Sequence, residues 1–205
     1  MEMRAKQKIE FDSISKKTLD DPKKHSDAFD FFYGAGSYYE AGTIGLSIGD
    51  ALPDYLYKVY DCANKLYAEK DYQSAALFYH ELYNYAANDY TKLQTLSLAA
   101  DSYEKTIIEK IKSEGNSDYV KFLHVQLGSV YEHLDQPDKA LNNYIEGEDP
   151  ASALGAINNM LENKKYKTRW EELKGLKKKY ENMEGAGADL GYRTIIKGLG
   201  RIEKA

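Results

Sequence analysis

Two stretches of the chain, 63–79 and 127–144, repeat the same residue types at the same internal spacing, and few folds use such a pattern. Ala63 is followed by Leu66 three residues on, Ala75 twelve on and Tyr79 sixteen on, with Asp71-Tyr72 between. Gly128 is followed by Tyr131, Ala140 and Tyr144 at the same intervals, with Asp135-Gln136-Pro137 between. The two sets lie 65 residues apart (128 − 63), and the same shift takes Phe31 to Leu96, Ala35 to Ala100 and Tyr38 to Tyr103. The intervals suit two helices joined by a tight polar turn. A small residue in the first helix lets the second cross closely. Another in the second helix receives it, and an aromatic ring fills the space between successive hairpins.

Composition agrees with helices throughout. Four Val and four Pro stand against 20 Leu and 20 Ala, and the charges are mostly Lys and Glu. Residues 1–25, with Ile9, Phe11, Ile14 and Leu19 irregularly spaced, read as an arm or short helix closed by Pro22. Ser26 is placed to cap a helical pattern rich in glycine, which predicts two short helices with a break near Gly42. Pro53-Asp54 separates these from helices over YLYKVYDCANKLYAEK and QSAALFYHELYNYA. A further pair is expected over 91–112, then a loop at Glu114–Ser117 in which Gly115 tolerates the left-handed conformation. Helices follow over 119–134, 137–147, 150–163 and 166–181, with Pro137 and Pro150 where a first turn accepts proline. GAGA at 185–188 reads as a hinge before a last amphipathic helix, 189–203. The sum is an all-α chain of about ten helices.

The segments ANKLYAEKDYQSAALFY and LGSVYEHLDQPDKALNNY resemble the tetratricopeptide repeat family, the second through Leu127-Gly128, Tyr131, Ala140 and Tyr144. Steps of 28, 37 and 28 residues separate Ala35, Ala63, Ala100 and Gly128, where the family keeps a regular 34. The resemblance implies an α-solenoid of stacked antiparallel helix pairs forming a right-handed superhelix over 26–163, with 164–205 as a basic helix and capping helix. It also implies a concave groove lined by first helices. Its residues would be Tyr57, Tyr60, Asn64 and Tyr67, then Asp101 and Glu104, then Phe122, Val125 and Ser129, with Phe29, Phe32 and Tyr39 before them. Asn64 stands where such proteins hold a bound peptide's backbone. Tyr60, Ser97, Asp101 and Ser129 occupy the places that clamp a terminal carboxylate in some members, so an acidic chaperone tail is not the expected ligand.

Charge is unevenly distributed. Residues 26–162 carry 9 Lys against 22 Asp and Glu, whereas 163–180 carry eight cations against two Glu. Those cations are Lys164, Lys165, Lys167, Arg169, Lys174, Lys177, Lys178 and Lys179, around an apolar stripe of Tyr166, Trp170, Leu173 and Leu176. Such a strip suits nucleic acid or an anionic membrane surface.

Motifs for chemistry are absent. His25, His80, His124 and His133 lack metal-ligand spacing, and no P-loop, dinucleotide loop or nucleophile elbow occurs. One cysteine, Cys62, excludes an internal disulfide and suits a reducing compartment. The opening MEMRAKQKIEF has no apolar stretch, so no signal peptide is expected, and the expected location is cytoplasmic. The first functional expectation is a non-enzymatic adaptor binding a peptide or helix of another protein, without cofactor, metal or small-molecule substrate. The alternatives are a nucleic-acid or anionic-surface binder acting through 164–179, a vesicle-fusion adaptor of the soluble attachment protein type, and a subunit stable only inside a larger complex.

Overall fold

The computed structural model describes residues 22–49, 54–86 and 88–187. Among them the chain is helical, with no strand. The helices are α1 (Pro22–Gly34), α2 (Tyr38–Ile48), α3 (Asp54–Ala68), α4 (Tyr72–Tyr83), α5 (Asp89–Glu114), α6 (Asp118–His133), α7 (Pro137–Glu146), α8 (Pro150–Glu162) and α9 (Trp170–Gly187). A 3-10 turn, Lys164–Arg169, leads into α9. The arm before Pro22 and the predicted helix 189–203 lie outside the described residues.

The chain divides into two compact units, Met1–Thr106 and Ile107–Ala205, with the boundary inside α5. In the first, α1 packs on α2, α2 on α3 and α3 on α4. In the second, α6 packs on α7, α7 on α8 and α8 on α9, and the 3-10 turn touches both α8 and α9. Within each of these two series a helix packs on its chain neighbour, as stacked hairpins do.

Four of the connections are the same turn. Residues 35–37, 69–71, 134–136 and 147–149 each place a left-handed residue in the middle: Gly36 (φ 76°), Lys70 (67°), Asp135 (54°) and Glu148 (52°). The N–H of the third residue reaches back five positions, Ser37 to Phe32 O, Asp71 to Leu66 O, Gln136 to Tyr131 O and Asp149 to Tyr144 O, all at 2.9 Å. This closes the preceding helix with its last carbonyls satisfied. The same third residue then opens the next helix. Asp71 accepts from the Ser74 N–H and Asp149 from the Ser152 N–H, each at 3.2 Å, and Pro137 and Pro150 occupy first-turn positions.

These turns revise the register of the first hairpin. Gly36 and Lys70 are 34 residues apart (70 − 36), and that shift takes Phe32 to Leu66 and Ala41 to Ala75. The expected match of Ala35 to Ala63 fails, because Ala35 lies in the turn and is exposed. The expected break near Gly42 fails as well. Gly42 lies inside α2, where a Cβ would come within 2.5 Å of the Phe78 ring, so the glycine admits that ring instead of ending the helix. Helix α1 starts at Pro22, ahead of Ser26, since proline fits a first turn. The pair expected over 91–112 is the single 26-residue α5, whose sequence contains neither Gly nor Pro to break it. Gly185–Gly187, expected as a hinge, continue α9.

The repeated residues meet as their spacing requires. Ala63, Ala75 and Ala140 are fully buried, as are the rings of Tyr79 and Tyr144. A Cβ on Gly128 would stand 2.6 Å from the Tyr144 ring, so only glycine admits it at this crossing. In the first unit Phe29, Phe32, Ala41, Ile44 and Cys62 form a core cluster. Burial, then the neighbouring Asp61 carboxylate, push the Cys62 thiol up to about 12. The native protein should therefore resist a thiol reagent at neutral pH and react only as it unfolds. Prompt labelling of the folded protein would show that this core opens locally.

Candidate partner-binding face

Three helices of the first unit, α1, α3 and α5, lie side by side and run in the same direction. Lys58 bonds Asp30 at 3.0 Å, and the Tyr33 hydroxyl donates to Asp61, the same 28-residue interval in both cases. Phe29 meets Tyr55 edge-on at 5.1 Å. One step along, the Tyr67 hydroxyl donates to Asp101 at 2.6 Å, and burial, then the charge of Tyr90, raise the Tyr60 pKa. A tyrosine late in each first helix thus reaches an aspartate on the next, and Tyr33 and Tyr67 are 34 residues apart like their turns.

The polar groups between these helices satisfy one another. Lys105 donates to Asp101 at 2.8 Å and to the Tyr67 hydroxyl, and its ammonium lies 4.4 Å from the centre of the Tyr67 ring. Burial alone would raise the Asp101 pKa. Hydrogen bonds from Lys105 and Tyr67, with the Lys105 charge, outweigh that and hold the carboxyl below the ordinary range. The Lys105 pKa is raised, chiefly by its hydrogen bond to Asp101.

Along the outer side of α3, Tyr57 is 80% exposed, while Tyr60 is half-buried edge-on to Tyr79 at 5.8 Å. Asn64 is exposed, and its Oδ1 accepts from the Tyr79 hydroxyl at 2.7 Å, which ties one of its two acceptor positions to the core. Glu104 is exposed on α5. Phe29 and Phe32, expected in the groove, are fully buried in the core, because the 34-residue register turns them inward. Tyr39 is exposed, but on the second helix α2, tilted against Phe78 at 5.7 Å.

Sequence reasoning missed the start of α5. Tyr90 is 77% and Leu93 54% exposed, and with Gln94, Ser97 and Leu98 they line a shallow depression. Helical spacing of 90, 93 and 97 on one side, opposite Leu96, Ala99 and Tyr103 on the buried side, was the available signal. In the second unit Phe122, Val125 and Ser129 share one side of α6. Phe122 stacks on Tyr119 at 6.3 Å, Val125 covers Gly147, and both Val125 and Ser129 are half-buried.

The basic strip has its stripe turned inward: Tyr166 and Leu173 are buried, and Trp170 and Leu176 are half-buried. Several of its cations are engaged within the unit. Arg169 pairs with Glu172 at 3.0 Å and with Asp138, Lys174 with Glu171 at 2.7 Å, and Lys177 with Glu181 at 3.9 Å. Lys165 and Lys179 lie over the rings of Tyr166 and Tyr180. Lys164, Lys167 and Lys178 are exposed. Among the described residues no group of three potential ligands is placed to hold a metal ion, and no helix is long and apolar enough to cross a membrane. Comparison with protein families, curated proteins and solved structures returns no match to this chain.

Proposed function

We propose that the protein is a non-enzymatic adaptor of tetratricopeptide-like construction, and that the outer side of α3 and α5 in the first unit binds a peptide or helix of a partner protein. The observation that carries this is a contrast within one row of helices. The polar groups between neighbours pair with each other, whereas Tyr57, Tyr90 and Leu93 stay open to solvent. Rigid, amphipathic tyrosines supply contact area at low entropic cost and are frequent binding anchors. The lone buried thiol of Cys62 suits the reducing cytoplasm, where the proposal places the protein.

The nucleic-acid reading is less well supported. Binding of single strands leans on exposed aromatic platforms, and the aromatics of the basic strip face its own unit. A photoreactive phenylalanine analogue at position 57 or 90 should capture a protein partner in cells, and one at position 164 or 178 should not. Capture confined to the latter two positions would overturn the proposal.

A further inference from the structure

The first unit holds two of its lysines in one recurring way. The Lys58 ammonium lies 4.2 Å from the Tyr55 ring centre and 5.3 Å from that of Phe29, and it bonds Asp30 at 3.0 Å. Lys105 lies 4.4 Å from Tyr67 and 5.3 Å from Tyr72, and it bonds Asp101 at 2.8 Å. Two ring faces and one carboxylate receive each ammonium, an arrangement in which the ring quadrupoles and the anion attract the same charge. A third set of the same parts has no lysine in it. Tyr57 and Tyr60 lie one turn apart on α3, ten and seven residues before Tyr67, and Tyr90 lies eleven residues before Asp101, the partner of Tyr67 on the parallel α5, which sets the three tyrosines near one level of the two helices, with Asp54 one turn before Tyr57 and Asp89 next to Tyr90. Among the described residues no ammonium lies over any of these three rings, and neither aspartate is in a salt bridge.

We infer that this open set receives a lysine or arginine side chain of the bound partner; the inference rests on the binding reading above and assigns its ligand a charge. Charge complementarity points the same way. Residues 26–106 carry 12 Asp and Glu against five Lys. Of those five, Lys58 and Lys105 are already paired and Lys92 lies over Tyr83 at 5.9 Å. An acidic segment would meet Asp54, Asp89 and the surrounding excess of carboxylates, whereas a cationic one gains both the rings and the anions. The depression beside Leu93 and Leu98 takes an aliphatic side chain of the same segment. The ligand class is therefore a cationic segment carrying an aliphatic anchor.

The test is selection of a random dodecapeptide phage library on the full-length protein, with counter-selection on Tyr57→Ala/Tyr90→Ala. Recovered sequences should contain Lys and Arg at about twice the library frequency or more, and Asp and Glu well below it. Individual peptides should bind Tyr57→Phe/Tyr90→Phe within about twofold of wild type, since the ring faces remain, and bind Asp54→Asn/Asp89→Asn about three- to tenfold more weakly. A recovered pool that depends on the tyrosines but shows no cation enrichment would overturn this inference and leave the binding face standing. Cation-rich peptides that bind the alanine variant equally well would overturn it too, exposing mere attraction to an acidic protein. If no pool distinguishes wild type from the alanine variant, the binding face itself fails.

Discussion

Tyr144→Ala should destabilise the protein by about 3–5 kcal/mol, and Tyr79→Ala by a similar amount, as for other large-to-small changes of fully buried rings. The two tyrosines hold equivalent places 65 residues apart, and both are almost wholly buried. Each ring fills the gap left by a small residue of the preceding helix: Gly128 faces Tyr144 so closely that no Cβ would fit, and Ala63 is fully buried in the equivalent hairpin. Each hydroxyl also has a partner, Glu132 for Tyr144 and Asn64 for Tyr79, both at 2.7 Å. Tyr144→Phe keeps the ring and should cost only about 1 kcal/mol, because the exposed Glu132 carboxylate returns to water. Urea denaturation followed by circular dichroism separates these cases. If Tyr144→Ala were no more damaging than Tyr144→Phe, the hairpin crossing would not be built around the ring.

Alkaline pH should unfold the protein between about pH 10 and 12. Its hydrogen bond to Asp61, then burial, push the Tyr33 phenol up to about 12. Burial raises Tyr79 and Tyr144 further, with Glu132 adding to the effect on Tyr144. An unfolded phenol titrates near pH 10. Below that pH these groups are neutral in both states and their contribution to stability is fully present. Above it the unfolded chain releases protons that the native state retains, so stability falls as pH rises toward the folded pKa values. Tyrosinate absorbance and loss of helicity should therefore rise together, and Tyr79→Phe/Tyr144→Phe should move the midpoint to higher pH. Ionisation of all 19 tyrosines near pH 10 with helicity intact would contradict the burial of these phenols.

The hairpin at 119–147 and the one at 54–83 were legible because their signals are local: a small residue, a polar turn and a capping residue, each within one helical turn of the next. The repeat offset also carried information, since the left-handed residues Lys70 and Asp135 are the same 65 residues apart, although the first turn was expected one residue later, at Asp71-Tyr72. The first hairpin was misread by six residues. Its glycines look like breakers in a linear pattern, yet Gly42 and Gly45 are places where Phe78 and Val59 approach the backbone, which only the tertiary contact explains. That same slip put Phe29 and Phe32 in the groove instead of the core. Helix α5 was hard for a different reason. It has apolar residues on two sides, Leu96, Ala99 and Tyr103 inward and Tyr90 and Leu93 outward, so periodicity does not separate packing from exposure. Of the predicted face, Tyr67 and Asp101 are used in holding α3 to α5, and Asn64 in holding Tyr79. Tyr57 remains the most open of the predicted aromatics.

Whether the outer side of α3 and α5 is where this protein binds its partner is settled most directly by calorimetry with the partner segment mapped by photo-crosslinking. Affinity should be measured for wild type, for Tyr57→Ala/Tyr90→Ala and for Lys164→Glu/Lys167→Glu/Lys178→Glu, each with its helicity verified. The tyrosine variant should bind about 100-fold more weakly, the loss expected when two anchors are truncated together, and the lysine variant should stay within about threefold of wild type, as for charges outside an interface. Binding unchanged by loss of the tyrosines, and abolished by reversal of the lysines, would contradict the account and move the interface to the basic strip.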